Sequence, residues 1–257
     1  MKNYFFALVV AVALAGSCPL QAQRLFASPE DATKALREAA ESGDKTTVHD
    51  IFGPEIHQFL TGDEKQDKRN FHEFSQAIAE ACVPEPEGSD RVILSIGTNQ
   101  WPFPIPLVKT NGQWMFDTVA GREEIITRHI GADELYAIGI CHRYADAQKA
   151  YFDEHHEYAR DWMTLKHTNI IHGYVFKVLT RGASKYISHG KMTGGYALVA
   201  YPAVWGKSGI MTFLVSEDGK VYQQNLDEDT ASIAGRMKRY APDANWTVVA
   251  ENGAAEP

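Results

Sequence analysis

Three prolines stand at alternate positions in Trp101-Pro102-Phe103-Pro104-Ile105-Pro106. Each holds φ near about −65° and has no backbone N–H to donate, so no helix runs through the segment and no central strand contains it. In an extended conformation the missing donors fall along one edge, and Trp101, Phe103 and Ile105 share a face. That edge cannot accept another full strand. The segment reads as a protected sheet margin whose aromatics are core; the alternative is an aromatic ligand groove.

The flanking sequence agrees with a small antiparallel sheet. Val92, Leu94 and Ile96 alternate in one strand, and residues 107–109 and 113–117 flank Asn111-Gly112, a hairpin turn pair. Three helices precede it. Ser28 can cap the first, Pro29 is pre-set for the first helical position, and Glu30 and Asp31 sit at the positive end of the dipole. Ala32, Ala35, Leu36, Ala39 and Ala40 then recur at helical spacing until Gly43. The second helix, over about 44–51, buries Val48 and Ile51, and the third, over about 69–82, aligns Phe71, Phe74, Ile78 and Cys82. Residues 83–90, with Pro84, Pro86 and Gly88, read as a loop.

Helical periodicity returns from Gly121 to about Arg160, with a break expected at Gly131 and a buried stripe of Leu135, Ile138, Cys141, Ala145 and Phe152. Strands are expected over 174–179, 196–201, 210–215 and 220–222, the last two joined through Asp218-Gly219. Asp229 is placed to cap a helix over 230–240, and 246–249 forms a closing strand. The class is therefore α+β: N-terminal helices with a small antiparallel sheet over 23–130, then a long helix on a C-terminal antiparallel sheet over 131–250. A frayed tail over 251–257 completes the chain.

Residues 1–22 read as a secretory signal peptide. Lys2 supplies the positive start, residues 4–15 an apolar stretch, and Leu20-Gln21-Ala22 a cleavage site before Gln23. Ala15-Gly16-Ser17-Cys18 is an imperfect lipoprotein box, so soluble export is expected and lipidation at Cys18 is the alternative. No other apolar run spans a bilayer, so the mature chain is expected to have no transmembrane helix. Of the three cysteines only Cys82 and Cys141, 59 positions apart, survive that cleavage. An even pair in an exported chain suggests a disulfide, which would restrict the unfolded chain by roughly 4 kcal/mol. The alternative is two buried thiols. With 25 Lys and Arg against 33 Asp and Glu, the net charge is −8 and no basic cluster offers itself to phosphates, so no nucleic-acid partner is expected.

Chemical motifs fail one by one. Gly206-Lys207-Ser208 lacks the upstream glycine of a phosphate-binding loop, and Ser208 lacks the following glycine of a nucleophile elbow. His129, His142, His155 and His156 have no zinc-enzyme spacing, and neighbouring His155 and His156 point about a hundred degrees apart on a helix. No metal or organic cofactor is expected. Asp117, Glu123, Glu124, Asp133 and Glu134 could supply paired carboxylates for hydrolysis, though helix capping and the macrodipole explain those in first turns. Trp101, Phe103, Tyr201 and Trp205 stand beside Pro102, Pro104, Pro202 and Gly206 and form the candidate binding surface; buried support is the alternative for each. Tyr174 near a strand end invites the same two readings.

Several landmarks in order resemble the bacterial family DUF2950, a domain of unknown function. They are the segment 101–108, Trp114-Met-Phe-Asp-Thr with Ala120-Gly-Arg-Glu-Glu-Ile, Arg128-His-Ile-Gly-Ala-Asp-Glu-Leu, Tyr144-Ala-Asp-Ala-Gln-Lys-Ala-Tyr, His172-Gly-Tyr-Val-Phe-Lys-Val-Leu-Thr, and Gly195-Tyr-Ala-Leu-Val-Ala-Tyr-Pro through Ser208-Gly-Ile-Met-Thr-Phe. The resemblance implies an exported α+β protein and brings no assigned activity or catalytic residue. A longer insertion between Tyr158 and His172, which the resemblance would imply, is nearly absent. The C-terminal half has a looser, fold-level likeness to the globular domains of pilins and pseudopilins, without their long N-terminal apolar helix. The function expected is that of a non-enzymatic periplasmic or envelope accessory protein that binds an envelope protein or a cell-wall component. The alternative is a secreted hydrolase acting on an extracytoplasmic substrate through carboxylate or His residues.

Overall fold

The computed structural model describes residues 23–59, 64–160 and 170–250. The expected signal peptide with Cys18 and the expected frayed tail lie outside the described residues. The chain forms two compact units divided between Glu124 and Ile125. Both combine helices with antiparallel sheet, and the fold class is α+β.

In the first unit α1 (Pro29–Ser42) begins as its sequence dictates. The Ser28 hydroxyl accepts from the Asp31 N–H at 3.1 Å, and Gly43, at φ 66°, closes the helix by donating to Ala39 O. Its face of Ala32, Ala35, Leu36, Ala39 and Ala40 is buried. α2 (Lys45–Phe52), a 3-10 turn and α3 (Glu64–Glu80) follow, and Phe71 of α3, expected inside, is partly exposed while Ile78 is fully buried. The sheet comprises β1 (Cys82–Pro86), β2 (Arg91–Ile96), β3 (Trp101–Pro102), β4 (Leu107–Thr110) and β5 (Gln113–Phe116) in the order β1-β2-β4-β5, with β3 also on β2. Phe26 adds to β5 by exchanging two backbone bonds with Trp114, both 2.8 Å. Gln23 is anchored beside it: its carboxamide donates to Ile51 O at 3.1 Å and to Phe116 O at 2.5 Å.

Two expectations about this sheet need correction. Residues 82–86 are a strand, where the sequence predicts the end of the third helix at Cys82 and a loop from 83. Glu87 donates to Arg91 O and Gly97 to Ala81 O at the two ends of the β1–β2 ladder, so the nitrogens of Pro84 and Pro86 fall on the outer margin, where no donor is needed. The segment 101–106 is not one extended strand either. Trp101 and Pro102 pair with the end of β2, Phe103 N–H donates to Leu94 O at 2.7 Å, and the chain then bends so that β4 takes up the start of β2. Trp101 is therefore 41 % exposed, while Phe103 and Ile105 are buried.

α4 (Thr118–His155) is continuous through Gly131. One glycine costs a helix roughly 1 kcal/mol relative to alanine, too little to break 38 residues of it. The second unit holds most of this helix together with β6 (Ile170–Ile171), β7 (Tyr174–Leu179), β8 (Ile187–Ser188), β9 (Lys191–Met192), β10 (Ala197–Pro202), β11 (Met211–Ser216), β12 (Val221–Asn225), α5 (Thr230–Arg236) and β13 (Thr247–Val248). Its main sheet runs β13-β12-β11-β10-β7-β6, every pair antiparallel. α4 contributes Ala137, Ile140, Cys141, Tyr144, Ala145 and Gln148 to the buried interior, and Leu135, expected there, is exposed. The Gln148 carboxamide makes two 2.8 Å bonds with the backbone of Ala159, which pins the chain after the helix.

Cys82 and Cys141 are free, buried thiols, which corrects the expected disulfide. Cys82 belongs to the apolar core of the first unit and Cys141 to that of the second. Burial pushes the Cys141 thiol up to about 12 and raises that of Cys82, an effect Arg37 opposes in part. Neither thiol is therefore expected to react with a disulfide reagent at pH 8 until the protein is unfolded, whereupon both titrate. Loss of both thiols together in unfolded, unreduced protein would overturn this assignment.

Candidate functional site

Because the strands alternate in direction, one end of the second unit's sheet collects the start of β7, the end of β10, the start of β11 and the end of β12. The β6–β7 connection there is a two-residue loop, His172-Gly173, with Ile171 registered against Tyr174. Both loop residues have positive φ, 45° and 68°, the pattern of a type I′ turn. Glycine suits its position, since a Cβ on Gly173 would lie 2.6 Å from Ser208 Cβ and 3.1 Å from Asp133 Oδ2. Histidine takes the other, as it does in the β8–β9 turn His189-Gly190 at φ 49° and 82°, although asparagine is the more usual residue there.

The exposed His172 ring lies on the Tyr136 ring, centroids 4.0 Å apart, with Nδ1 3.8 Å from Asp133 Oδ1. Its Nε2 has no hydrogen-bond partner among the described residues. The Arg143 guanidinium lies 5.7 Å from the Tyr136 ring centre. Asp133 and Tyr136 come from one turn of α4 and the next, and Arg143 lies two turns beyond Tyr136. Next to them Glu134 faces inward, and its Oε1 accepts from the N–H groups of Ile210 at 2.8 Å and Met211 at 3.0 Å. The buried Tyr174 hydroxyl donates to Met211 O at 2.8 Å, and burial, followed by the Glu134 and Asp133 charges, raises its pKa.

The β10–β11 loop, 203–210, is fastened to this turn by an Ala203 N–H to Gly173 O bond of 2.8 Å. It carries Trp205, half-buried, whose indole Nε1 donates to Asn225 Oδ1 at the end of β12 at 2.9 Å. The same oxygen accepts from Asp227 N–H, leaving the exposed Asn225 Nδ2 as an outward donor. Ser208 Oγ closes the loop through Val204, accepting from its N–H at 3.1 Å and donating to its carbonyl at 3.2 Å.

The four aromatics of the expected binding surface divide between the units. In the first, Phe103 is a core residue packed among Phe52, Phe74 and Phe116, and Trp101 stands edge-on to it at 6.2 Å. In the second, Tyr201 is half-buried on β10 with its hydroxyl beside Gly235 of α5, whereas Trp205 stands at the strand-end surface. Of the carboxylates, Asp117 caps α4 by accepting from Ala120 N–H at 3.0 Å, and Asp133 and Glu134 meet at the strand ends. His155 lies against Tyr151 and His156 edge-on to Phe152. Among the described residues no group of three or more His, Cys, Asp or Glu is placed to hold a metal ion, and no helix is long and apolar enough to cross a membrane. A groove of about 350 Å³ in the first unit lies between Arg24, Phe26, Asp31, Lys34 and Glu38, where Arg24 covers the Phe26 ring and Lys34 faces Glu38 at 3.9 Å.

His172, Tyr136 and Arg143 escaped the sequence reading. The sequence offered only a hairpin signal, His172-Gly173 between two apolar pairs, which does not distinguish this turn from the His189-Gly190 turn of β8–β9.

The family described as Protein of unknown function (DUF2950) matches residues 23–164 and 157–249. No curated protein and no solved structure matches the chain.

Proposed function

We propose that this chain, which belongs to the DUF2950 family, is an exported, envelope-associated accessory protein that works by binding, with the strand-end surface of the second unit as its binding face. The signal-like residues 1–22 support export. The observation that carries binding is His172. An exposed imidazole lies 4.0 Å from the Tyr136 ring and faces Asp133, with Nε2 hydrogen-bonded to no protein group among the described residues. Groups that could drive turnover are engaged elsewhere: Ser208 Oγ with Val204 and Glu134 with two backbone N–H groups.

His172→Asn separates function from folding. Stability is expected to change by less than about 1 kcal/mol, because the better turn residue offsets the lost ring contact with Tyr136. Retention of the protein on a washed envelope fraction is expected to fall about tenfold. Undiminished retention would remove the reading. The Asp133–His172 pair favours a second reading, a hydrolase in which His172 Nε2 accepts a proton from water. Release of soluble fragments from the envelope fraction, abolished in the same variant, would select it.

A further inference from the structure

We propose that the ligand of this surface is an uncharged saccharide chain lying across the strand ends from His172 to Trp205; this rests on the binding reading above. The β6–β7 turn and the end of β12 are separated by the ends of β10 and β11, three strand spacings, on the order of 14 Å. That length accommodates a short run of linked sugar rings and exceeds a single ring. Trp205 at one end is held in place by its bond to Asn225, so its ring face is preorganised to receive the C–H face of a sugar. At the other end the ligand meets the His172 imidazole on its Tyr136 support and the Asp133 carboxylate.

The polar groups match hydroxyl and acetamido substituents. Asp133 only accepts, Asn225 Nδ2 only donates, and a neutral His172 Nε2 donates or accepts according to its tautomer. A polypeptide strand is the poorer fit, because strand addition needs the open edge of a sheet and this surface lies across strand ends, where side chains and not ladder groups face outward. Asp133 within the row is matched by the Arg143 guanidinium beside Tyr136, so the local charge balances and suits an uncharged ligand better than an anionic polymer.

The test is calorimetric titration of the exported protein with soluble oligomers of N-acetylglucosamine. Saturable binding is expected, weakened about tenfold in Trp205→Ala and in His172→Asn and by no more than a few-fold in Trp205→Phe, which keeps a ring. Melting curves accompany each variant, and His172→Asn, whose fold the turn favours, carries the test if Trp205→Ala unfolds. Equal affinity in His172→Asn and the parent would overturn the site. Retention on the envelope fraction without any heat from the oligomers would overturn the saccharide and leave the binding reading standing. Failure of both would overturn both.

Discussion

Phe116→Ala is expected to lower the unfolding free energy by about 3–5 kcal/mol, measured as a shift of the urea midpoint. The side chain is fully buried at the end of β5, where Leu107 is its register partner. Its ring meets Phe52 at 5.0 Å and Phe26 and Phe103 at 6.3 Å each, the latter two edge-to-face. Truncation removes the shared centre of three aromatic contacts and leaves a cavity whose walls are rings on α2, on β5's added neighbour and on the bend after β3. Such walls are anchored by separate backbone elements and collapse poorly, which puts the change at the costly end of core substitutions. Leucine at the same position fills most of the volume and should recover more than half of the loss; a cost below about 1 kcal/mol for alanine would mean that Phe116 is not central to this core.

Glu134→Ala is expected to cost on the order of 3 kcal/mol, because one carboxylate oxygen serves two N–H donors and each partly buried donor left unsatisfied costs roughly 1–3 kcal/mol. Glu134→Gln keeps an acceptor of the same shape without the charge and should lose about half as much. The structural consequence is specific. Ile210 and Met211 lead into β11, so their release loosens the loop that carries Trp205, and amide hydrogen exchange should accelerate over 203–211 before it does along β7. Uniform acceleration throughout the sheet, or none, would show that Glu134 does not hold this loop.

Much of the fold was legible because its elements carry their own punctuation. α1 has a cap, a proline and a glycine at the right offsets, and Asp218-Gly219 turns β11 into β12, with Gly219 at φ 71° and Lys220 N–H bonded to Asp218 Oδ1. β7, β10 and β11 lie within a residue of where alternation places them. The misreadings occur where tertiary structure overrides a local signal. Pro84 and Pro86 are compatible with a strand only because β1 is outermost, and position in a sheet is not written in a pentapeptide. The buried stripe of α4 includes Gln148, which burial tolerates because its carboxamide is hydrogen-bonded to Ala159, and Tyr144, whose ring stands edge-on to Tyr196 at 5.7 Å. A hydrophobicity count prefers Leu135, which is exposed. The candidate site was legible in pieces, as Trp205 and as Asp133 with Glu134, but Tyr136 and His172 are brought together by a hairpin whose outer strand is two residues long, too short for any periodicity to reveal.

Gln23 carries a consequence for how this chain tolerates trimming. Its carboxamide nitrogen serves the carbonyls of Ile51 and Phe116, the last residues but one of α2 and the last of β5, and Arg24 N–H adds a bond to Asp50 O. A protein shortened to start at Arg24 would face both carbonyls with nothing, and the defect would sit against the aromatic core rather than at a loose end. The expected cleavage after Ala22 would deliver the shortest chain that keeps this fastening, so an exopeptidase that removed one further residue would act on the stability of the whole first unit.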